Sequence, residues 1–418
     1  MIKEFIRFLD SSPTAWHAAR NCGDRFTEVN SIPLYEDERW ELEPGKSYFF
    51  LRDESALCAF RMPKKKIERA ILLASHLDSP ALKLKPIPVL SHPKCTRIMT
   101  EVYGSPLLHT WLDRDLCLAG RVVERSSESK LVIFDNEPLI IPSLPMHLDR
   151  SVGERGLVIN RQEHLQPITA IGHKNPHDLE LLLSQYLSWD LFLVPLEKAR
   201  LKGDLLSSYR LDNLTSAFAC LEAMAQTTSS QHTLQLAIFW DHEEVGSQTL
   251  VGAQSSLIDQ VLDRICLHQE IDHEDFYRIK SRSLCLSVDA AHGYNPNFSD
   301  RFDSQNSPFL GEGVIIKSSA AQKYATSASS SAPLFSLAKK KGWNLQAYTS
   351  RSDIPAGSTV GPFMATRLGI PTVDLGIATW AMHSIRETVA ASDEIALIRF
   401  LTAILEQEDF FASKDKNS

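Results

Sequence analysis

Four runs of apolar residues in this sequence end abruptly at clusters of histidine and carboxylate side chains, and this repeat restricts the fold more than any other feature. Ala70-Ile71-Leu72-Leu73-Ala74 stops at Ser75-His76-Leu77-Asp78, and Leu234 to Trp240 stops at Asp241-His242-Glu243-Glu244. Leu284 to Val288 stops at Asp289, and Ile370 to Ile377 ends a few residues before His383. The first run shows no alternation of apolar and polar residues, as expected for a strand covered on both faces, and the same form recurs in the others. Helical patterns lie between them. Leu214, Ala217, Phe218, Leu221 and Met224 share one face, and Ala332 to Lys341 carries lysines in its last turn before Gly342. Ser11-Ser12-Pro13, ahead of Ala15, Trp16, Ala18 and Ala19, predicts a helix start with serine capping and proline in the first turn. Alternating strands and helices predict an α/β sheet with helices on both faces, and such sheets bind ligands beyond the carboxyl ends of their strands. The polar clusters stand at those ends.

At 418 residues the chain exceeds one ordinary domain, since compact domains cluster near ~100–200 residues. The stretch 91–188 has its own texture, with short β-like runs at Ala119 to Val123, Leu131 to Phe134, Leu139 to Ile141 and Leu157 to Ile159. It is expected to be a β-rich domain inserted into a larger one made of 1–90 and 189–418. A net charge of −8 and a pI near 6.0 argue against a nucleic-acid or anionic-membrane surface, which needs a positive field. The seven cysteines are scattered singly, with no Cys-x-x-Cys pair, so neither a disulfide framework nor a thiolate zinc site is expected. The amphipathic opening lacks the apolar core of a signal peptide, and no stretch reaches the ~18–20 apolar residues of a membrane span. A cytoplasmic location is expected.

His76, Asp212, Glu244, Asp289 and His383 come from five separated segments, four at predicted strand ends and Asp212 at a helix start. Any one of them alone reads as an ordinary surface or hydrogen-bonded residue. Together, imidazole and carboxylate ligands suit zinc, with manganese and cobalt as relatives. Five ligands exceed the three typical of one catalytic zinc, whereas two ions bridged by one carboxylate would use them all. Adjacent Glu243 and Glu244 diverge in an extended segment, so one can ligate while the other faces the reacting water. Asp78, two residues beyond His76, points the same way and is expected to accept the other imidazole N–H.

The sequence resembles the aspartyl aminopeptidases from Phe8-Leu9-Asp10-Ser11-Ser12-Pro13-Thr14 almost to its C-terminus. The most specific matches are His76-Leu77-Asp78-Ser79-Pro80, Thr110-Trp111-Leu112-Asp113-Arg114-Asp115-Leu116, Leu211-Asp212-Asn213-Leu214 and Asp241-His242-Glu243-Glu244-Val245-Gly246-Ser247. Ser287-Val288-Asp289-Ala290-Ala291-His292, Ser352-Asp353-Ile354-Pro355-Ala356-Gly357-Ser358-Thr359 and Met382-His383-Ser384-Ile385-Arg386-Glu387 complete the set. The resemblance implies a three-layer α/β/α co-catalytic zinc peptidase domain with an inserted β-rich dimerisation domain. It assigns His76 and Asp289 to one zinc, Glu244 and His383 to the other, Asp212 to both, and Glu243 to the general base. It further implies a homododecamer built from dimers, with His147 reaching into a neighbouring subunit's site. Lys317 and Tyr324 match the family's pocket for an acidic N-terminal side chain. The implied substrates are peptides with a free N-terminus. The sequence departs from the family at Asn295-Pro296-Asn297-Phe298, where relatives usually have His-Pro-Asn-Tyr, around Gly104-Ser105-Pro106, and at Ser319 to Lys323. A related di-zinc carboxypeptidase or deacylase, and a metal-free scaffold protein, remain as alternatives.

Overall fold

The computed structural model describes residues 1–92, 94–171 and 177–407. Its largest sheet has nine strands, in the spatial order Ile32–Pro33, Ser47–Arg52, Ala56–Arg61, Thr233–Trp240, Arg69–His76, Leu284–Val288, Thr372–Gly376, Val314–Lys317 and Leu345–Tyr348. Thr233–Trp240, Arg69–His76, Leu284–Val288 and Thr372–Gly376 run parallel to one another. Their carboxyl ends therefore lie along one edge, where the four polar clusters begin. Ala56–Arg61 and Val314–Lys317 pair antiparallel on either side, which makes the sheet mixed.

The central strand explains the continuous apolar runs. Ile71 and Leu73 pack with Leu214, Leu221, Leu397 and Leu401 from helices Leu211–Gln226 and Ala391–Leu405. Ala70, Leu72 and Ala74 face the other way, against Leu257, Val261 and Met364 from helices Leu257–His268 and Gly361–Leu368. Both faces are dry, so period-two alternation is hidden in a run with no polar residue. This is the three-layer α/β/α arrangement.

Helix Leu211–Gln226 buries the apolar face expected of it. Helix Ala328–Lys341 ends at Gly342, whose φ of 69° closes the last turn. The expected helix start at Ser11-Ser12-Pro13 is misplaced. Ser11 closes the preceding helix Ile2–Ser11, with its hydroxyl donating to the Arg7 carbonyl at 2.8 Å. The next helix, Ala15–Glu28, starts after Thr14, whose hydroxyl pairs with His17 Nδ1 at 2.8 Å.

A second, antiparallel sheet has six strands, in the order Ser129–Leu139, Leu116–Glu124, Tyr186–Pro195, Ala81–His92, Cys95–Tyr103 and Ile168–Ile171. It has its own core, built on Leu82, Ile98, Trp111, Leu118, Leu191 and Leu193. Its strands reach from Ala81 to Pro195, beyond the 91–188 span read from the sequence, because the first and last in chain order pair with each other. Leu157 to Ile159 forms no strand, and Val158 is 81% exposed, with no strand among the described residues pairing with it. A small third sheet joins Arg200–Lys202, Leu205–Ser208, Glu387–Ala390, Ala378–Trp380 and Ala291–His292. Among the described residues no helix is long and apolar enough to cross a membrane.

Candidate metal centre

Five side chains meet at the carboxyl edge of the large sheet. His76 is the last residue of its strand, and Asp289 follows Leu284–Val288 directly. Asp212 stands at the start of helix Leu211–Gln226, where it and Asn213 depart from helical geometry and the peptide between them is cis. Glu243 and Glu244 open a single 3-10 turn, Glu243–Val245, entered through His242 at φ 59°. This corrects the extended segment expected there. A tight turn, not strand pleating, separates the two carboxylates. His383, at φ 68°, follows the short strand Ala378–Trp380.

Two donor groups share Asp212. His76 Nε2 lies 3.6 Å from Asp212 Oδ1 and 3.7 Å from Asp289 Oδ1. His383 Nε2 lies 3.4 Å from Asp212 Oδ2 and 3.5 Å from Glu244 Oε1. A tetrahedral ion with bonds of ~2.0–2.1 Å separates its ligand atoms by roughly 3.4 Å, so both groups have the spacing that a zinc ion requires. Each set is His76 with Asp212 and Asp289, or Asp212 with Glu244 and His383, and Glu243 approaches His76 and Glu244 from the side. The buried Oδ1 of Asp212 has no hydrogen-bond partner. An orphaned carboxylate oxygen among imidazoles and carboxylates fits a cation far better than an empty interior.

Electrostatics say the same. Burial, with Asp289, Asp78 and Asp212 nearby, raises the Glu243 carboxyl to about 8 despite His76. Burial and Asp212 push Glu244 well above the carboxylate range. Burial opposes a charge on His383, yet Asp212 and Glu244 outweigh it and raise the imidazole to about 10. The cluster holds more negative charge than its burial tolerates, and divalent cations would compensate it.

The surrounding contacts hold these donors in place. Asp78 Oδ1 accepts from the Glu243 N–H at 3.1 Å, and Oδ2 accepts from the Glu244 N–H at 3.0 Å. His76 Nδ1 lies 3.1 Å from the Asp78 carbonyl and 3.3 Å from its Oδ1, so backbone and carboxylate both face the imidazole edge. His383 Nδ1 lies 3.0 Å from the Ser105 carbonyl, which leaves Nε2 as the donor atom. Gly104, at φ 70°, lets this loop pass Glu244, whose Cβ would sit 3.2 Å from a side chain placed there.

Glu387 was not singled out in the sequence. Its Oε1 accepts from the His383 N–H at 2.6 Å and its Oε2 from the Asp212 N–H at 2.9 Å, so one buried carboxylate ties two donor segments together. Its sequence signal is its place at the end of Met382-His383-Ser384-Ile385-Arg386-Glu387. Tyr103, likewise unassigned, donates to Asp78 Oδ2 at 2.7 Å.

The remaining candidates lie around this centre. Lys317 ends strand Val314–Lys317 and is only 1% exposed; its Nζ donates to the Ala290 carbonyl at 2.9 Å and lies 3.7 Å from Asp289 Oδ2. Tyr324 is buried, with its ring centroid 5.2 Å from that ammonium. His147 stands apart, exposed in a turn flanked by exposed Leu144, Met146 and Leu148.

The profile of the family described as Aminopeptidase I zinc metalloprotease (M18) matches residues 8–404. A probable M18 family aminopeptidase 2 of Pseudomonas syringae pv. syringae is 36% identical over 434 residues, covering 99% of this chain and 98% of that protein. The fold matches the cryo-EM structure of the Ape4 and Nbr1 complex with a TM-score of 0.91 and 32% identity, over 96% of this chain and 84% of that one. It also matches the mApe1 dodecamer of S. cerevisiae with a TM-score of 0.83 and 26% identity, over 97% of this chain and 96% of that one.

Proposed function

The chain belongs to the M18 family of aminopeptidase I zinc metalloproteases, and from that membership we propose a two-zinc site that releases an acidic residue from the free N-terminus of peptides. Hydrolysis by an aminopeptidase follows from the family; the ion count, the residue roles and the preference are our reading. One observation carries the paired site: Asp212 turns one oxygen to His76 and the other to His383. His76 and Asp289 would hold one ion, Glu244 and His383 the other, with Asp212 shared. The oxygen and imidazole donors would also accept manganese or cobalt.

When bound, the ions would polarise the scissile carbonyl, make water a stronger acid and hold the substrate's amine. Glu243, beside both donor groups, takes a proton from the attacking water at its carboxylate and gives it to the leaving amine. Asp78 fixes Glu243 through its backbone N–H, which keeps the base at one height above the site. Lys317, buried with a single hydrogen bond to Ala290, would pair with an acidic side chain, and Tyr324 would add its hydroxyl.

Assembly as a homododecamer of dimers is part of the same reading, with the antiparallel sheet domain pairing subunits. Exposed Ile133, Leu144, Met146, Leu148, Leu181 and Leu187 on that domain support a covered face. His147, in the same exposed segment, would act in a neighbouring subunit's site by donating to the carbonyl oxygen as negative charge develops. All seven cysteines are free, which fits a reducing cytoplasm. The deciding experiment is metal content of the purified protein with a panel of aminoacyl amides. About two zinc ions per chain, and faster release of aspartate or glutamate than of leucine or lysine, are expected. One ion per chain overturns the paired site, and a leucine preference overturns the acidic one. Hydrolysis of N-blocked peptides in place of free ones would favour the carboxypeptidase or deacylase alternative.

A further inference from the structure

Arg121 stands in strand Leu116–Glu124 of the six-stranded sheet, yet its strongest partner belongs to the large sheet. Its Nη1 donates to Asp53 Oδ1 at 2.8 Å and to the Asp53 carbonyl at 3.1 Å, and its Nη2 donates to Asp53 Oδ2 at 3.3 Å. Nη2 also donates to Asp190 Oδ2 at 3.2 Å on the neighbouring strand Tyr186–Pro195, and the guanidinium carbon stands 5.1 Å from the ring centre of Trp16. Asp53 and Glu54 make the turn between strands Ser47–Arg52 and Ala56–Arg61, and both are left-handed, at φ 46° and φ 57°. Side chains other than glycine seldom take that conformation unless their surroundings hold it. Here the six-stranded sheet holds it: besides the Arg121 fork, the Ser129 hydroxyl donates to Glu54 Oε2 at 2.5 Å. A two-pronged guanidinium–carboxylate pair fixes direction as well as distance, so the two sheets are tied in one orientation.

From this tie a row of rings leads inward. Trp16, facing the guanidinium, lies 5.9 Å centre to centre from Phe192, and Phe192 meets Tyr103 edge to face at 5.4 Å. Tyr103 donates to Asp78 Oδ2, and Asp78 accepts the backbone N–H groups of Glu243 and Glu244. A cavity of about 30 Å³ borders the row, lined by Trp16, Phe192, Tyr103, Asp78 and Arg210 among others. Close packing is incomplete along this seam, and directed polar bonds carry more of the alignment. We propose that Arg121 is a positioning residue for hydrolysis: by gripping the Asp53-Glu54 turn it holds the six-stranded sheet where Tyr103 reaches Asp78, and so keeps the turn of both glutamates in place beside the donors. Among the described residues its own partners all lie outside the metal centre. The inference rests on the metal centre as the place of hydrolysis, whereas neither the number of ions nor the first-residue preference enters it.

The test is a double-variant cycle of Arg121→Met with Tyr103→Phe on the assembled enzyme. It uses whichever of an aspartyl and a leucyl p-nitroanilide the wild type cleaves faster, so it stands whatever the first-residue preference is. If Arg121 acts through the Tyr103 contact, Arg121→Met should lower kcat/KM by roughly the tenfold of an outer hydrogen bond and speed zinc loss in a chelator titration. The double variant should then be no slower than Tyr103→Phe alone. Changes at separate sites normally multiply, so independent roles would give about a hundredfold loss. Asp53→Asn is the milder companion, since asparagine tolerates the left-handed turn while the charge of the fork is removed. It should show a smaller loss that also vanishes in the Tyr103→Phe background. Wild-type kcat/KM and zinc retention in Arg121→Met overturn the proposal, as does a loss that persists undiminished on top of Tyr103→Phe. A loss that coincides with dissociation of subunits in sedimentation would assign Arg121 to assembly and overturn it too.

Discussion

Tyr103 and Asp78 join the two sheet domains at the metal centre: the tyrosine hydroxyl donates to Asp78 Oδ2 at 2.7 Å, from the last residue of a strand in the smaller domain. That same oxygen accepts the Glu244 N–H, and its twin accepts the Glu243 N–H. The smaller domain thereby bears on the turn that carries both glutamates. Tyr103→Phe keeps the ring, its edge contact with Phe192 at 5.4 Å and its packing, and removes only the donor. Outer hydrogen bonds of this kind change metal affinity or activity by about 10–100-fold. We expect kcat/KM to drop roughly tenfold with weaker zinc retention in a chelator titration, and circular dichroism unchanged. Wild-type zinc affinity and rate in Tyr103→Phe would make the contact one of packing alone.

The proposed function gives the neighbours Glu243 and Glu244 separable duties. Only Glu244 stands with both Asp212 and His383. Glu243→Gln should keep the wild-type metal content while kcat falls about 10²–10⁴-fold, the usual contribution of a general base. Glu244→Gln should lose part of the bound zinc together with activity, since a ligand contributes to the site's existence. Elemental analysis beside single-turnover rates separates the two, and near-normal kcat in Glu243→Gln would remove its assignment as base.

His76, Asp289 and the Glu243-Glu244 pair stand where a two-sided apolar strand runs out, a pattern visible without any knowledge of contacts, whereas Asp212 stands at a helix start and His383 after a short strand of the third sheet. What escaped was nonlocal. Glu387 acts on the backbone N–H groups of Asp212 and His383, and no side-chain pattern announces a backbone partner 175 residues away. Tyr103 sits in a strand whose alternation reads as ordinary sheet. Ser11-Ser12-Pro13 misled because serine bonds back to a carbonyl at one helix end as readily as it caps the next. Leu157 to Ile159 has strand composition but pairs with no strand among the described residues, and β propensity reports such packing more than any backbone preference.

His17 gives a prediction about acid stability. Burial, then Arg210 and Arg20, lowers its imidazole to about 4 in the folded chain. Between that value and the ordinary one near 6.5 the unfolded chain binds more protons. Stability therefore rises with pH across this window and is lost as pH falls through it. Allowing for partial exposure, His17 should cost the wild type about 1–2 kcal/mol between pH 7 and pH 5. Urea unfolding of His17→Gln should show a correspondingly shallower loss over that interval. Parallel curves for the two proteins would show that His17 titrates normally in the folded state.

In the proposed function, selectivity at the first residue turns on Lys317. Its ammonium is almost wholly shielded from water, donates one hydrogen bond to the Ala290 carbonyl and lies 3.7 Å from Asp289 Oδ2. An ammonium has three donors, so capacity remains for a substrate carboxylate. A neutral first residue would leave that capacity unused in a desolvated place, whereas an acidic one would complete it. Removing one partner of such a pair costs about 3–5 kcal/mol, equivalent to roughly 10²–10⁴-fold in kcat/KM. Lys317→Met should therefore slow aspartyl and glutamyl substrates by that order and leave leucyl substrates much less affected, so that the acidic preference collapses. The lysine also compensates Asp289, whose carboxyl is held down to about 2 against its burial by Lys317 and His76. Zinc content must be measured in the same variant: a uniform loss of rate with loss of zinc would assign Lys317 to the metal centre, and an intact acidic preference in a fully loaded Lys317→Met enzyme would place the specificity pocket elsewhere.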